Sequence, residues 1–197
     1  MSDVNEYLDL HQPLWQSKWA AAQDWDAYLA TSEERHRDRW LAALERTQLT
    51  AEQSALLGSF TRRIHLLVLS GVWCGDCVRQ GPIFHRLAQA APSLELRLID
   101  RDEHADLADV LRLNGAKKVP VALFLSEDFY EVGRFGDRPL SVYRAKAQRE
   151  LGASCETGLV PPEPEALAVE VQEWVDISER MHLILRTSPL LRRRHGD

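Results

Sequence analysis

Ile64-His-Leu-Leu-Val-Leu-Ser-Gly-Val-Trp-Cys-Gly-Asp-Cys77 is the stretch on which the reading of this chain turns. It opens with a short apolar run closed by Ser70-Gly71, the pattern of a buried strand. Cys74 and Cys77 follow at once, and then Ile83, Phe84, Leu87 and Ala88 recur at helical spacing. A strand, a C-x-x-C and a helix in that order put Cys74 at a helix N-terminus. Unpaired N–H groups and the helix dipole favour a thiolate there. They lower the thiol pKa from about 8.5 toward neutrality. Two intervening residues in the first helical turn bring the second sulfur within disulfide reach. Cys74 is therefore expected to attack a disulfide, and the more buried Cys77 to resolve the mixed disulfide.

Outward from this centre, residues 94–100 read as a second strand and 103–113 as a helix stopped by Asn114-Gly115. Residues 121–125 and 130–135 read as two strands of a hairpin. Pro139 suits the first turn of a helix reaching about residue 150. The order βαβαββα predicts an α/β domain over 61–152, a four-stranded mixed sheet flanked by helices. Its parallel crossover should be right-handed.

The flanks read as added helices. In the N-terminal extension, 1–60, Leu14, Trp15, Trp19, Ala22, Trp25 and Leu29 predict one amphipathic helix. A second starts behind Thr31 or Ser32, with Glu33 and Glu34 in its first turn, and runs through Trp40, Leu41 and Leu44. Thr50 and Gln53 fit a capping box before a third. Trp15, Trp19 and Trp25 are expected to pack between extension and domain. Residues 153–197 comprise a Pro-rich linker at 156–165 and a long amphipathic helix. Leu167, Val171, Trp174, Ile177, Met181 and Ile184 or Leu185 form its stripe. Arg192 to Arg194 read as a solvated tail.

The chain has 24 Lys and Arg against 30 Asp and Glu, a net charge of −6, which argues against a nucleic-acid partner. No apolar run approaches the roughly 20 residues a membrane helix needs. The opening Met-Ser-Asp-Val-Asn-Glu lacks both the basic and the apolar segment of a signal peptide. A cytoplasmic location without membrane contact is the expectation. Three cysteines are too few for a disulfide scaffold. In a reducing compartment, a disulfide here is catalytic or sensing rather than structural. An iron–sulfur cluster wants more thiolates. Zinc would need further ligands beside the pair. The candidates Cys155, His65, His85 and His104 show no ligand spacing, so no metal is expected.

Residues 64 to about 140 resemble the thioredoxin family. Pro82, five residues after Cys77, matches the proline that kinks the family's active-site helix. Val119-Pro120 opens a strand 46 residues after Cys74, similar to the family's cis-proline, and Gly133 lies in the last strand. The resemblance implies a thioredoxin-like fold and thiol–disulfide exchange on protein disulfides, with no bound cofactor. Electrons would come from a reductase or a low-molecular-weight thiol. It also implies a substrate groove shaped by Trp73, Gly75, Val119 and Pro120, the cis bond leaving the Val119 backbone free to pair with an extended substrate segment. The W-C-G-D-C centre and the stretch Gly-Arg-Phe-Gly-Asp-Arg-Pro at 133–139 resemble a bacterial thioredoxin-like group.

The departures matter as much. Val68 and Leu96 stand where thioredoxins usually carry a buried aspartate and its lysine, so another group must handle the Cys77 proton. Asp76 replaces the usual proline. Its charge disfavours a neighbouring thiolate while suiting the helix N-terminus. Lys117, Lys118 and Arg79 are expected to soften that field. A second reading is a redox-responsive interaction module, in which the helical flanks bind a partner and the cysteine pair senses oxidation.

Overall fold

The run Ile64–Ser70 forms β1 and is buried along its whole length. A strand buried throughout needs cover on both faces, and the rest of the chain supplies it. The computed structural model describes residues 7–151 and 164–196. Cys155 and most of the expected linker lie outside the described residues. Strand β2 (Leu94–Asp100) pairs parallel to β1. Strand β3 (Val121–Ser126) pairs antiparallel to β1, and β4 (Glu131–Gly136) antiparallel to β3. The sheet order is β2-β1-β3-β4, the four-stranded mixed sheet that the sequence predicts.

The expected first helix is two. Helix α1 covers Gln12–Ala21 and α2 covers Trp25–Ala30. Between them Gln23 pairs with Leu98 of β2 through two backbone bonds of 2.9 and 2.8 Å. The outer edge of β2 offers unpaired backbone groups, and pairing with it extends the chain locally. Asp24 then restarts the helix, its carboxylate accepting from the Ala27 N–H at 2.8 Å. Thr31 and Ser32 do not cap the next helix. Their hydroxyls turn back to the Tyr28 and Leu29 carbonyls and close α2 instead. Helix α3 (Glu34–Arg46) starts behind Glu33, without a side-chain cap. Helix α4 (Ala51–Gly58) has the Thr50–Gln53 capping box.

Helix α5 (Gly75–Ala90) follows the cysteine motif and contains Pro82. Helix α6 (Ala105–Val110) is shorter than expected. At its start the Asp100 carboxylate holds the N–H groups of Asp102 and Glu103 in a loop. At its end Asn114 and Gly115, both at positive φ, turn the chain so that Leu113 and Ala116 pair. Helix α7 (Leu140–Leu151) and the long α8 (Pro164–Thr187) follow, and α9 (Pro189–His195) is the last described helix. On α8 it is Leu185 that is buried, while Ile184 is 38% exposed. The arginine run is not a free tail: it lies on α9, where Arg194 pairs with Asp128.

Both flanks share the core of the central sheet. Trp15, Trp40 and Trp174, from α1, α3 and α8, are all but fully buried in one continuous apolar cluster. The Trp40 ring fills the space beside Gly81 of α5, where a Cβ would stand 2.0 Å from it. Trp174 meets Phe84 of α5 edge-on at 4.6 Å. Burial of this kind is worth roughly 25 cal/mol per Å² of apolar surface, so the flanks are structural members of the fold. Among the described residues no helix is long and apolar enough to cross a membrane.

Candidate active site

Cys74 occupies the N-cap of α5 with an extended backbone, its N–H bonded to the Gly71 carbonyl at 3.0 Å. Cys77 lies within the first turn, fully buried, and both thiols are free. The two sulfurs titrate in opposite directions. The Cys74 pKa is lowered to about 7, first by the hydrogen bond from the Cys77 thiol and then by the N–H groups of Cys77 and Asp76. Burial and the Asp76 charge oppose that shift without overcoming it. Burial pushes Cys77 well above the ordinary thiol range, and the neighbouring Cys74 adds to this. At neutral pH the outer sulfur is about half thiolate, while the inner one keeps its proton.

The Cys74 thiol points at the Val119 carbonyl, 3.6 Å away. The Val119–Pro120 peptide bond is cis. Gly136 lets β4 end tightly against this corner, since a Cβ there would stand 2.6 Å from the Pro120 carbonyl oxygen. Trp73 is 42% exposed beside the thiols, and the Arg101 guanidinium lies 4.6 Å above its ring. Gly75 opens α5 with free space where a side chain would be. Trp73 and Gly75 thus flank Cys74 along the chain, and Val119, next to Pro120, meets it from across the site.

Asp76 is held by Arg138, whose Nε and Nη2 reach its two carboxylate oxygens at 3.0 and 2.6 Å. Arg138 does what the sequence reading assigned to Lys117, Lys118 and Arg79, and each of those is engaged elsewhere. Lys117 pairs with Asp109, Lys118 lies 3.4 Å from Asp137, and Arg79 pairs with Glu170 of α8. Glu170 is fully buried, and burial lifts its pKa to about 7 against the pull of Arg79. Asp137 also anchors this corner. Burial works against its charge, yet the Tyr143 hydroxyl, its own N–H, Lys118 and Arg138 hold its pKa below the usual value. Its carbonyl accepts from the Gln80 side chain at 2.7 Å.

The family model for thioredoxin matches residues 22–150. The chain belongs to the thioredoxin family. Among solved structures, a Pseudomonas aeruginosa protein of unknown function superposes with a TM-score of 0.66. It is 20% identical, and the match covers 83% of this chain and 93% of that one. An HIV epitope-scaffold follows at a TM-score of 0.60 and 22% identity, covering 81% and 96% of the two chains. A poplar thioredoxin h is 27% identical over 53% of this chain and 93% of its own, at a TM-score of 0.35. No curated protein matches the chain significantly.

Within this thioredoxin framework Val68 and Leu96 are buried and apolar. The polar groups that do stand near Cys77 are the Ser70 hydroxyl and the Gly71 N–H, both acting to lower its pKa. Tyr28 of α2 stands behind Ser70, whose hydroxyl acts on it in turn. Sequence reasoning named neither hydroxyl, and it also missed Arg138 and Glu170. Only Arg138 carried a signal, through the 133–139 stretch. The histidines weighed as zinc ligands lie apart from the thiols. His65 stacks on Phe129 and His85 on Trp25, while His104 faces Lys18. Among the described residues no cluster of three or more His, Cys, Asp or Glu could hold a metal ion.

Proposed function

We propose that the protein is a thiol–disulfide oxidoreductase acting on protein disulfides in the cytoplasm. The observation that carries this reading is the asymmetry of the pair, with the pKa of half-buried Cys74 lowered to about 7 and that of buried Cys77 raised. The Cys74 thiolate attacks one sulfur of a substrate disulfide. That bond breaks, a bond from Cys74 to substrate forms, and the departing substrate sulfur takes a proton from water. Cys77 then gives up its proton and attacks the Cys74 sulfur. A Cys74–Cys77 disulfide forms, and the second substrate sulfur leaves as a thiol. Two electrons and two protons pass to the substrate. A reductase or a low-molecular-weight thiol restores the dithiol.

Trp73, Gly75, Val119 and Pro120 would form the substrate groove, the Val119 backbone pairing with an extended substrate segment. Asp76 would modulate the nucleophile. The interaction-module alternative draws on the length of the helical flanks. Their large aromatic residues are spent inside the core, which favours the oxidoreductase.

A trapping experiment tests the reading. In Cys77→Ser, mixed disulfides with substrate proteins should accumulate through Cys74 and disappear on reduction. In Cys74→Ser none should form. Equal trapping by both variants, or by neither, would remove the mechanism.

A further inference from the structure

Near Cys77 the structure buries two hydroxyls. Ser70 ends β1 with no exposed surface, and Tyr28 of α2 is 2% exposed. Neither hydroxyl oxygen has a partner at hydrogen-bond geometry among the described residues. A buried hydroxyl without a partner costs on the order of 1–3 kcal/mol, so its presence needs a reason. Their placement is fixed by packing. The Tyr28 ring leans on Trp40 with centroids 5.8 Å apart, and the Trp40 indole N–H bonds the Val72 carbonyl at 3.0 Å. Val72 lies in the loop between β1 and α5, so this chain of contacts docks α2 against the cysteine motif. Ser70 sits one residue before Gly71 and pairs in register with Asp100.

We propose that the Ser70 hydroxyl donates a hydrogen bond to the Cys77 thiolate as it forms, with the Tyr28 hydroxyl behind it donating to Ser70, the two taking the place left by the apolar Val68 and Leu96. The inference rests on the oxidoreductase reading above and adds to it the residues that stabilise the resolving sulfur. In the resolving step the Cys77 proton ends on the departing substrate thiol. The Cys74–substrate bond breaks and the Cys74–Cys77 bond forms. Both hydroxyls keep their own protons throughout. Burial raises the Tyr28 pKa far above the usual phenol value, so it stays a donor at any working pH. The ionisable groups acting on Tyr28 are Cys77 and Cys74 of α5 and Asp100 of β2. Ser70 lies near enough to both Tyr28 and Cys77 to lower the pKa of each. Tyr28 comes from the helical segment that precedes the central sheet, which gives that segment a part in the chemistry.

The test separates the two sulfurs. Full-length reduced protein in a Cys155→Ser background is mixed with one equivalent of dithiobis(nitrobenzoic acid). Attack by Cys74 releases the first coloured thiolate, and resolution by Cys77 releases the second. In Tyr28→Phe and in Ser70→Ala the first phase should stay within about twofold of the parent. The second should slow about tenfold in Ser70→Ala, the size expected for one lost bond to a charged group, and about threefold in Tyr28→Phe, which acts through Ser70. The pH midpoint of the second phase should also rise, which a purely packing role for these residues would not produce. Should Tyr28→Phe lose its near-ultraviolet circular dichroism, Ser70→Ala decides alone. An unchanged second phase in the folded variants overturns this proposal and leaves the oxidoreductase standing. A parent protein that never releases the second thiolate overturns both.

Discussion

The two helical flanks meet the same helix, α5, with different chemistry. The N-terminal flank brings Trp40 against Gly81 and the neutral Tyr28 hydroxyl behind Ser70 of β1, which stands near Cys77. The C-terminal flank brings Trp174 against Phe84 and a buried carboxyl, Glu170, onto Arg79. One side offers hydrogen-bond donors that carry no charge. The other holds a charge in a place that resists it. The resolving sulfur lies with the neutral groups. The carboxyl network reaches toward the nucleophile instead, since Asp76 acts on both Glu170 and Cys74.

The largest effect should come from the two tryptophans. Trp40→Ala and Trp174→Ala should each lose roughly 3–5 kcal/mol of stability, as large core truncations do. Phenylalanine sharpens the comparison. The Trp40 indole N–H holds the Val72 carbonyl, whereas the Trp174 indole N–H is buried without a partner among the described residues. Trp40→Phe should therefore cost about 1 kcal/mol more than Trp174→Phe. Urea unfolding of the four variants measures this. Equal losses for the two phenylalanine variants would mean that the bond to the active-site loop contributes nothing.

Next in size is a pH effect confined to the C-terminal flank. The Glu170 pKa rises from an ordinary 4.5 to about 7 on folding. The native state then binds more protons than the unfolded chain across that window. Its contribution to stability falls as pH rises from about 4.5 to 7 and is flat above. The loss should be on the order of 3 kcal/mol. Glu170→Gln should remove that slope. Tyr28→Phe should leave it in place, because the phenol does not titrate in the window. Stability curves at several pH values decide it: a wild-type protein whose stability is level between pH 5 and 7 would mean that Glu170 stays charged.

The sheet and the cysteine pair were legible because their signals are local. The apolar run of β1, the alternation of β2 and the C-x-x-C each sit within a few residues. The break at Gln23 was not, because the helical period runs straight through it. The open edge of β2, more than seventy residues away, decides the matter. Ser32 looked like a cap because Glu33 and Glu34 follow it, but its hydroxyl serves the helix behind. Asp76 with Arg138 and Arg79 with Glu170 are 62 and 91 residues apart, and no spacing rule links them. The site was readable as far as the first turn of α5. What tunes that turn arrives from α2, α8 and the loop after β4.

The smallest effect isolates the charged side of the comparison. Arg138 neutralises Asp76, and each of the two side chains is about a quarter exposed, so solvent screens part of their interaction. Arg138→Leu would leave the Asp76 charge facing the Cys74 thiolate uncompensated. The Cys74 pKa should then rise by about half a unit, and its alkylation by iodoacetamide at pH 7 should slow about twofold. Asp76→Asn removes the charge that works against the thiolate and should move the pKa down instead. With both substitutions present the two effects should nearly cancel, leaving Cys74 close to wild type. The Cys77 phase should not respond to any of the three, since the groups acting on it are Cys74, Ser70 and Gly71. If Arg138→Leu moved the resolving step as far as it moved the nucleophile, the two sulfurs would share one electrostatic environment. The division between a charged side and a hydroxyl side of α5 would then fail.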